Sequence, residues 1–151
     1  MYTEELMRVP ETALARANTK IVLVGQGEWK VIQAFRDLTG FTGPIYAHPS
    51  QKLHSLFKFV ETMALAPAGQ KPKYMKQLTH WGNFMRGWAE TQGVFRFPSL
   101  LFSAGPPTLN GGDLVLGPGN QCAFFHRMQN TQDHVEVVDL MRHAGVMYTP
   151  T

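Results

Sequence analysis

Residues 110–145 restrict the fold of this chain more than any other stretch. Asp113–Leu116 is a short apolar run, residues 117–120 are Gly117, Pro118, Gly119 and Asn120, and Ala123–Phe125 is a second apolar run. Glycine and asparagine accept positive φ and proline pre-sets its own, so residues 117–120 read as a tight turn. Two strands joined this closely are expected to pair as an antiparallel hairpin. Asp133 stands three residues before Glu136, a capping pair expected to open a helix. Val135, Val138, Met141 and Arg142 follow at helical spacing, and Gly145 is a natural stop.

Upstream, strands and helices alternate. Thr3 is expected to cap a first helical turn holding Glu4 and Glu5, acids well placed at a helix N-terminus. Pro10 ends or restarts that helix, Pro10–Ala17 reads as a second short helix, and Asn18 supplies the break. Ile21–Val24 is a β-branched run that reads as a buried parallel strand. Glu28–Leu38 reads as a helix, with Trp29, Ile32, Phe35 and Arg36 at its spacing. Gly40–Pro44 is a loop, Ile45–Ala47 a short strand, and Gln51–Val60 a helix burying Leu53, Leu56 and Phe57. Between 61 and 110 the pattern is weaker. Ala64–Pro72 reads as a loop and Tyr74–Ala89 as a helix covering one sheet face, or as an adaptable lid or partner surface rich in Met and Trp. Val94–Phe102 is a strand or an aromatic loop, and Gly105, Pro106 and Pro107 form a hinge-like connection.

Composition excludes several classes. The chain has 151 residues, 44% hydrophobic and 17% charged, which suits one domain with its own core and not a disordered chain. A formal charge of +3, with lysines scattered, is too thin for a nucleic-acid face. One cysteine excludes an internal disulfide framework and a Cys-based zinc site. The six histidines stand at 48, 54, 80, 126, 134 and 143, without metalloprotease or paired spacing, so no metal is expected. The first residues are polar and acidic, without a signal-peptide core, and no run reaches the roughly 18–20 apolar residues of a membrane span. The expected location is cytoplasmic, with neither membrane nor nucleic acid as partner.

The quoted hairpin and helix resemble the C-terminal half of a thioredoxin fold. More narrowly, the chain resembles the peroxiredoxin-like AhpC/TSA antioxidant proteins, especially fungal thioredoxin-like members. The matching pieces are Gly111–Gly112, Gly117–Gly119, His126–Met128 and Asp133–His134, with Ile21–Gly27, Phe35–Arg36, Thr39–Ala47 and Pro49–Ser50 before them. The likeness covers most of the chain except roughly residues 60–108. It implies an α/β domain over 1–151: a thioredoxin-like mixed sheet flanked by helices, shortened at its N-terminus, with an insertion at about 61–110. Members with thiol activity carry a cysteine turn, often Cys-x-x-Cys, between the first core strand and the first long helix. This chain begins inside that helix, either as a truncated reading of a gene or as a shortened relative that lost the redox site. An absent first strand is expected to leave a sheet edge for a homodimer mate or another partner to cover.

Candidate chemistry is sparse. Gly25, Gln26 and Gly27 follow a strand and precede a helix, but Lys30 stands where a dinucleotide fingerprint needs its third glycine, so no nucleotide cofactor is expected. The resemblance often places a cysteine between these two glycines, where this chain has Gln26. Cys122 begins the second hairpin strand, at the end remote from the usual redox position, and is expected to be a buried structural residue. His126, Arg127 and His134 are the acid–base candidates, because the strand end and the helix start return to the functional end. The plainer reading, which is preferred, pairs Arg127 with Asp133 to hold the loop. The resemblance puts a pocket at Tyr2, Thr3 and Glu5, at Gly25, Gln26 and Gly27, and at Asn110, Gly111 and Gly112. Backbone N–H groups there could hold a carbonyl or anionic oxygen of a small apolar metabolite.

Three functions are compatible with this sequence. One is a redox-dead accessory or binding protein. Another is a cofactor-independent isomerase, dehydratase or cyclase of fungal secondary metabolism. The third is a fragment of a thiol peroxidase.

Overall fold

The computed structural model describes residues 2–67, 103, 105–106, 108–119 and 121–149. The helix expected at Tyr74–Ala89 and the segment Val94–Phe102 lie outside the described residues. In chain order the described elements are α1 (Tyr2–Met7), α2 (Glu11–Arg16), β1 (Leu23–Gly25), α3 (Val31–Thr39), β2 (Ile45–Ala47), α4 (Lys52–Phe57), β3 (Gly112–Leu116), β4 (Cys122–Arg127) and α5 (Val137–His143).

The hairpin forms as its turn chemistry requires. β3 and β4 are antiparallel, with Asp113 opposite His126 and Val115 opposite Phe124. A register shift after Val115 places Leu116 opposite Cys122, so Ala123 is the extra residue of a bulge. Strand alternation sends Val115 and Phe124 to one face and Leu114 and Phe125 to the other. The first face packs on a core of Tyr2, Leu6, Val9, Val137, Leu140, Met141 and Val146. Tyr2, Leu6 and Val9 fall at i, i+4 and i+7, so α1 and the turn after it deliver one apolar stripe to α5. Six residues do not hold a helix in water, and this burial stabilises α1. The opposite hairpin face meets Phe57 and Phe59, whose rings lie 5.3 Å and 6.0 Å from Phe125. Gly112 is required there: a Cβ would stand 2.2 Å from the His126 carbonyl oxygen and 2.7 Å from the Phe59 ring.

β1 pairs with β2 in parallel, Val24 opposite Tyr46, and forms a sheet separate from the hairpin. The crossover between them is α3, which ends at Gly40. The Arg36 guanidinium then donates to the carbonyls of Phe41, Thr42 and Gly43, so one side chain holds the loop into β2. Residues 60–62 and 108–110 are tied together: Thr62 N–H donates to Thr108, Asn110 N–H donates to Val60, and Glu61 bridges Leu109.

Several expectations are corrected. Thr3 lies buried inside α1 and does not cap it. Trp29 precedes α3 and is 72% exposed, because the helix starts at Val31. α4 stops at Phe57, where Lys58 turns left-handed, and Leu56 is 71% exposed and not buried. β1 is not buried on both faces, since Val24 is 55% exposed. α5 begins at Val137, and Asp133 does not cap it. Gly145 follows the last turn at φ 72°, as the stop signal required.

Candidate functional site

The turn after β1 and the approach to β3 meet through a side chain. Gln26 Nε2 donates to the Leu109 carbonyl at 2.9 Å, and the Glu28 amide donates to the Ser103 carbonyl at 2.8 Å. Gly105 passes against Gln26, where a Cβ would lie 3.2 Å from its side chain. Asn110 is buried, and its Nδ2 donates to the Thr62 carbonyl at 3.0 Å. Its side chain therefore ties the approach to β3 to the segment after α4.

A second group forms around a residue that the sequence reading passed over. Asp113 is 6% exposed, a carboxylate inside an apolar strand. A buried charge is costly unless it is hydrogen-bonded. Here Oδ2 accepts the Val135 N–H at 3.0 Å, and His134 Nδ1 lies 3.1 Å from Oδ1 and 3.3 Å from Oδ2. The Tyr2 ring stacks on His134 with centroids 4.0 Å apart and planes 5° from parallel. α1, β3 and the segment before α5 are thus joined by one Tyr–His–Asp array. A carboxylate at Nδ1 selects the tautomer with its proton on that nitrogen, as in histidines oriented for proton transfer. The available signal was the charged residue itself, set among Leu114, Val115 and Leu116.

His126 is held differently. Its Nε2 lies 2.6 Å from the Asp133 carbonyl oxygen and 3.5 Å from Asp133 Oδ2, while that carboxylate also accepts the Gln129 N–H at 2.8 Å. The expected Arg127–Asp133 pair is replaced by this contact. Successive residues of β4 point to opposite faces, so Arg127 leaves His126 behind. Its guanidinium lies over the Phe125 ring at 4.7 Å and its Nε donates to the Phe57 carbonyl at the end of α4. Arg127 therefore lies apart from His126, which stands opposite Asp113, the partner of His134. Glu5 is paired with Arg8 at 2.7 Å. Burial pushes the Tyr148 phenol above its ordinary value, and the charge of Glu5 adds to the shift.

Cys122 is exposed, contrary to the buried residue expected, with its thiol 3.1 Å from the Phe124 carbonyl. It stands at the turn end of the hairpin, as the topology argument required. Five strand steps of about 3.3 Å separate it from Arg127 and the Gly112 end, roughly 16 Å. Among the described residues no group of three or more His, Cys, Asp or Glu side chains could hold a metal ion, and no helix is long and apolar enough to cross a membrane.

Comparison with known proteins agrees with this architecture. Residues 5–130 match the AhpC/TSA antioxidant enzyme family. Human peroxiredoxin-like 2C is 30% identical over 147 residues, covering 97% of this chain and 62% of the human protein. Mouse peroxiredoxin-like 2C is 30% identical over 145 residues, covering 96% and 62%. The Takifugu rubripes protein of that name is 27% identical over 151 residues, covering 98% and 64%. The chain thus spans about three-fifths of the length of the curated relatives it matches. No solved structure matches it. With its parallel strand pair, its antiparallel hairpin and its C-terminal helix, the chain belongs to the AhpC/TSA antioxidant family, as a peroxiredoxin-like protein of thioredoxin-like α/β fold.

Proposed function

We propose that this chain acts as a binding or accessory protein of the peroxiredoxin-like group and does not itself reduce peroxide. One observation carries the reading: its single thiol, Cys122, stands at the turn end of the hairpin, away from Gln26, Asn110 and Gly112. Thiol peroxidase chemistry needs a thiolate stabilised by neighbouring cations or helix-terminal N–H groups. Cys122 has Gln121 and Ala123 beside it and a backbone carbonyl against its sulfur. The ligand end of the domain comprises Tyr2, Thr3, Gln26, Asn110, Gly111 and Gly112, and its ligand is a small, largely apolar molecule with a carbonyl or anionic oxygen.

A second reading is a cofactor-free acid–base enzyme, an isomerase, dehydratase or cyclase. The Asp113–His134 pair favours it, because a carboxylate-oriented imidazole is the usual device for moving a proton at neutral pH. A third reading, peroxide reduction by a longer polypeptide, draws on the greater length of the relatives.

The test is thiol-dependent peroxide consumption by the purified 151-residue chain beside Cys122→Ser. No turnover in either protein is the expected result. Turnover that disappears in Cys122→Ser would make Cys122 a relocated peroxidatic residue and overturn the proposal.

A further inference from the structure

His48 joins β2 to α4 through both its backbone and its ring. Its amide donates to the Gly25 carbonyl at 2.7 Å, which fixes the end of β2 on β1, and Pro49 after it disfavours a helical backbone there. The ring reaches forward to the start of α4. The Leu53 N–H donates to His48 Nε2 at 3.2 Å, and Ser50 Oγ lies 3.4 Å from the same nitrogen.

Helix α4 has little else to begin it. The first amides of a helix have no partner within it. Gln51, the residue before α4, makes no side-chain cap, and no acidic residue stands in the first turn. Gln51 and Lys58 flank the helix at φ 54° and 51°, a left-handed backbone that non-glycine residues disfavour. Among the described residues, His48 is the only side chain that accepts a hydrogen bond from this first turn. The other end is held by tertiary contacts. The Phe57 ring packs on Phe59 and Phe125, and Arg127 Nε donates to the Phe57 carbonyl. α4 thereby lays Phe57 over the outer face of the hairpin.

A backbone N–H only donates, so Nε2 keeps its lone pair and the neutral ring carries its proton on Nδ1. A second proton, on Nε2, removes the acceptor and sets two donors against each other. No negative charge offsets it. The titratable or charged side chains of the elements around His48 are Tyr46 on β2, Glu28 after β1, Lys52 and His54 on α4, Lys58 at its end and Arg127 from β4. Glu28 pairs with Lys30, and none of the others is negative at neutral pH.

We propose that His48 is a proton-sensing cap, which holds α4 closed while its ring is neutral and releases the first turn when the ring is protonated. The capped state holds one ring proton and the open state takes a second, so falling pH favours opening, within the range of about pH 5–8 where histidine changes charge. Opening withdraws Phe57 from Phe59 and Phe125, and the outer hairpin face becomes accessible in acid.

The test is nuclear magnetic resonance of the full chain, isotopically labelled, between pH 8 and pH 5. Long-range proton–nitrogen spectra at pH 8 are expected to show His48 protonated on Nδ1; a proton on Nε2 would overturn the proposal. Protection factors, which remove the intrinsic pH dependence of amide exchange, are expected to fall about three- to thirtyfold at Leu53 and Ser55, the range for loss of a cap. Leu140 and Ala144 of α5 are expected to keep theirs. A Leu53 amide unprotected at pH 8, no fall at Leu53, or an equal fall on α5 would each refute the cap. Overhauser contacts between the Phe57 and Phe125 rings are expected to weaken over the same range, and their full retention at pH 5 would refute the release. His48→Ala removes the acceptor at every pH, and His48→Gln offers a carbonyl oxygen that takes no proton in this range. Both are expected to give flat profiles. A wild-type fall in either would assign it to another histidine, His54 with its buried Nε2 above all, and refute His48 as the sensor.

Discussion

Removing the Asp113 carboxylate tests whether the Tyr2–His134–Asp113 array joins the N-terminal helix, the hairpin and α5. Asp113→Ala deletes two hydrogen bonds, one to the Val135 N–H and one to His134 Nδ1, whose two oxygen contacts share a single proton. A hydrogen bond to a charged group contributes about 1.5–3 kcal/mol. His134 is partly exposed, with 28% of its side chain accessible, so water replaces part of what it loses. Val135 N–H loses the acceptor that a buried side chain supplied. The net cost works out at about 2–4 kcal/mol, a drop in Tm of roughly 5–12 °C for a domain of this size. Urea and thermal unfolding of the wild-type chain, Asp113→Ala, His134→Ala and the double variant measure it. A coupling energy of about 1–2 kcal/mol between the two sites is expected, because each variant removes the same bond. Additivity within about 0.5 kcal/mol would refute the reasoning, since it would mean that His134 and Asp113 stabilise the fold independently.

Two further outcomes follow from single contacts. The Tyr148 phenol is held above its ordinary pKa, first by burial and then by Glu5, so the folded chain binds its proton more tightly than the unfolded chain. The associated stability is present below pH 10 and is lost as pH rises through the folded value. Melting curves between pH 8 and 11 are expected to fall at the alkaline end, and Tyr148→Phe is expected to flatten that fall; an unchanged slope would exclude Tyr148 as its source. Gly112→Ala sets a methyl group against the His126 carbonyl and the Phe59 ring, and it is expected to cost about 3 kcal/mol or to prevent folding. Denaturant midpoints measure it, and a loss under about 0.5 kcal/mol would mean that the hairpin shifts freely under Phe59.

Much of the architecture could be read from local chemistry. Gly117, Pro118 and Gly119 required a turn, and the hairpin around them formed in the expected place. Asn18 and Gly145 both take positive φ where the chain was expected to break. Helix starts were less legible. Asp133 has the spacing of a capping residue, but its carboxylate accepts Gln129 N–H and meets His126, so α5 begins four residues later. Leu56 lies on α4 at a spacing that suits burial, yet α4 ends at Phe57 and presents Phe57, not Leu56, to the hairpin.

The site was less legible than the fold, because its partners are distant in sequence. His134 and Gln26 were both singled out, but the contacts that define them, Asp113 and Leu109, lie 21 and 83 residues away. Arg127 and His126 are neighbours in the chain and were expected to act together. Strand alternation alone separates them, and the choice of acceptor then sends Arg127 to Phe57.

Local chemistry alone set where this chain turns and which two runs form the hairpin, because glycine, proline and asparagine act on φ locally, whatever lies around them. The sequence also determined the thiol count, one, and the hairpin end at which that thiol stands. Tertiary structure decided the rest. It exposed Cys122, buried Asp113 beneath His134 and Tyr2, and left β1 and β3 over one core as strands of separate sheets. Burial and long-range pairing depend on what other segments bring to the same place, and no local pattern carries that information.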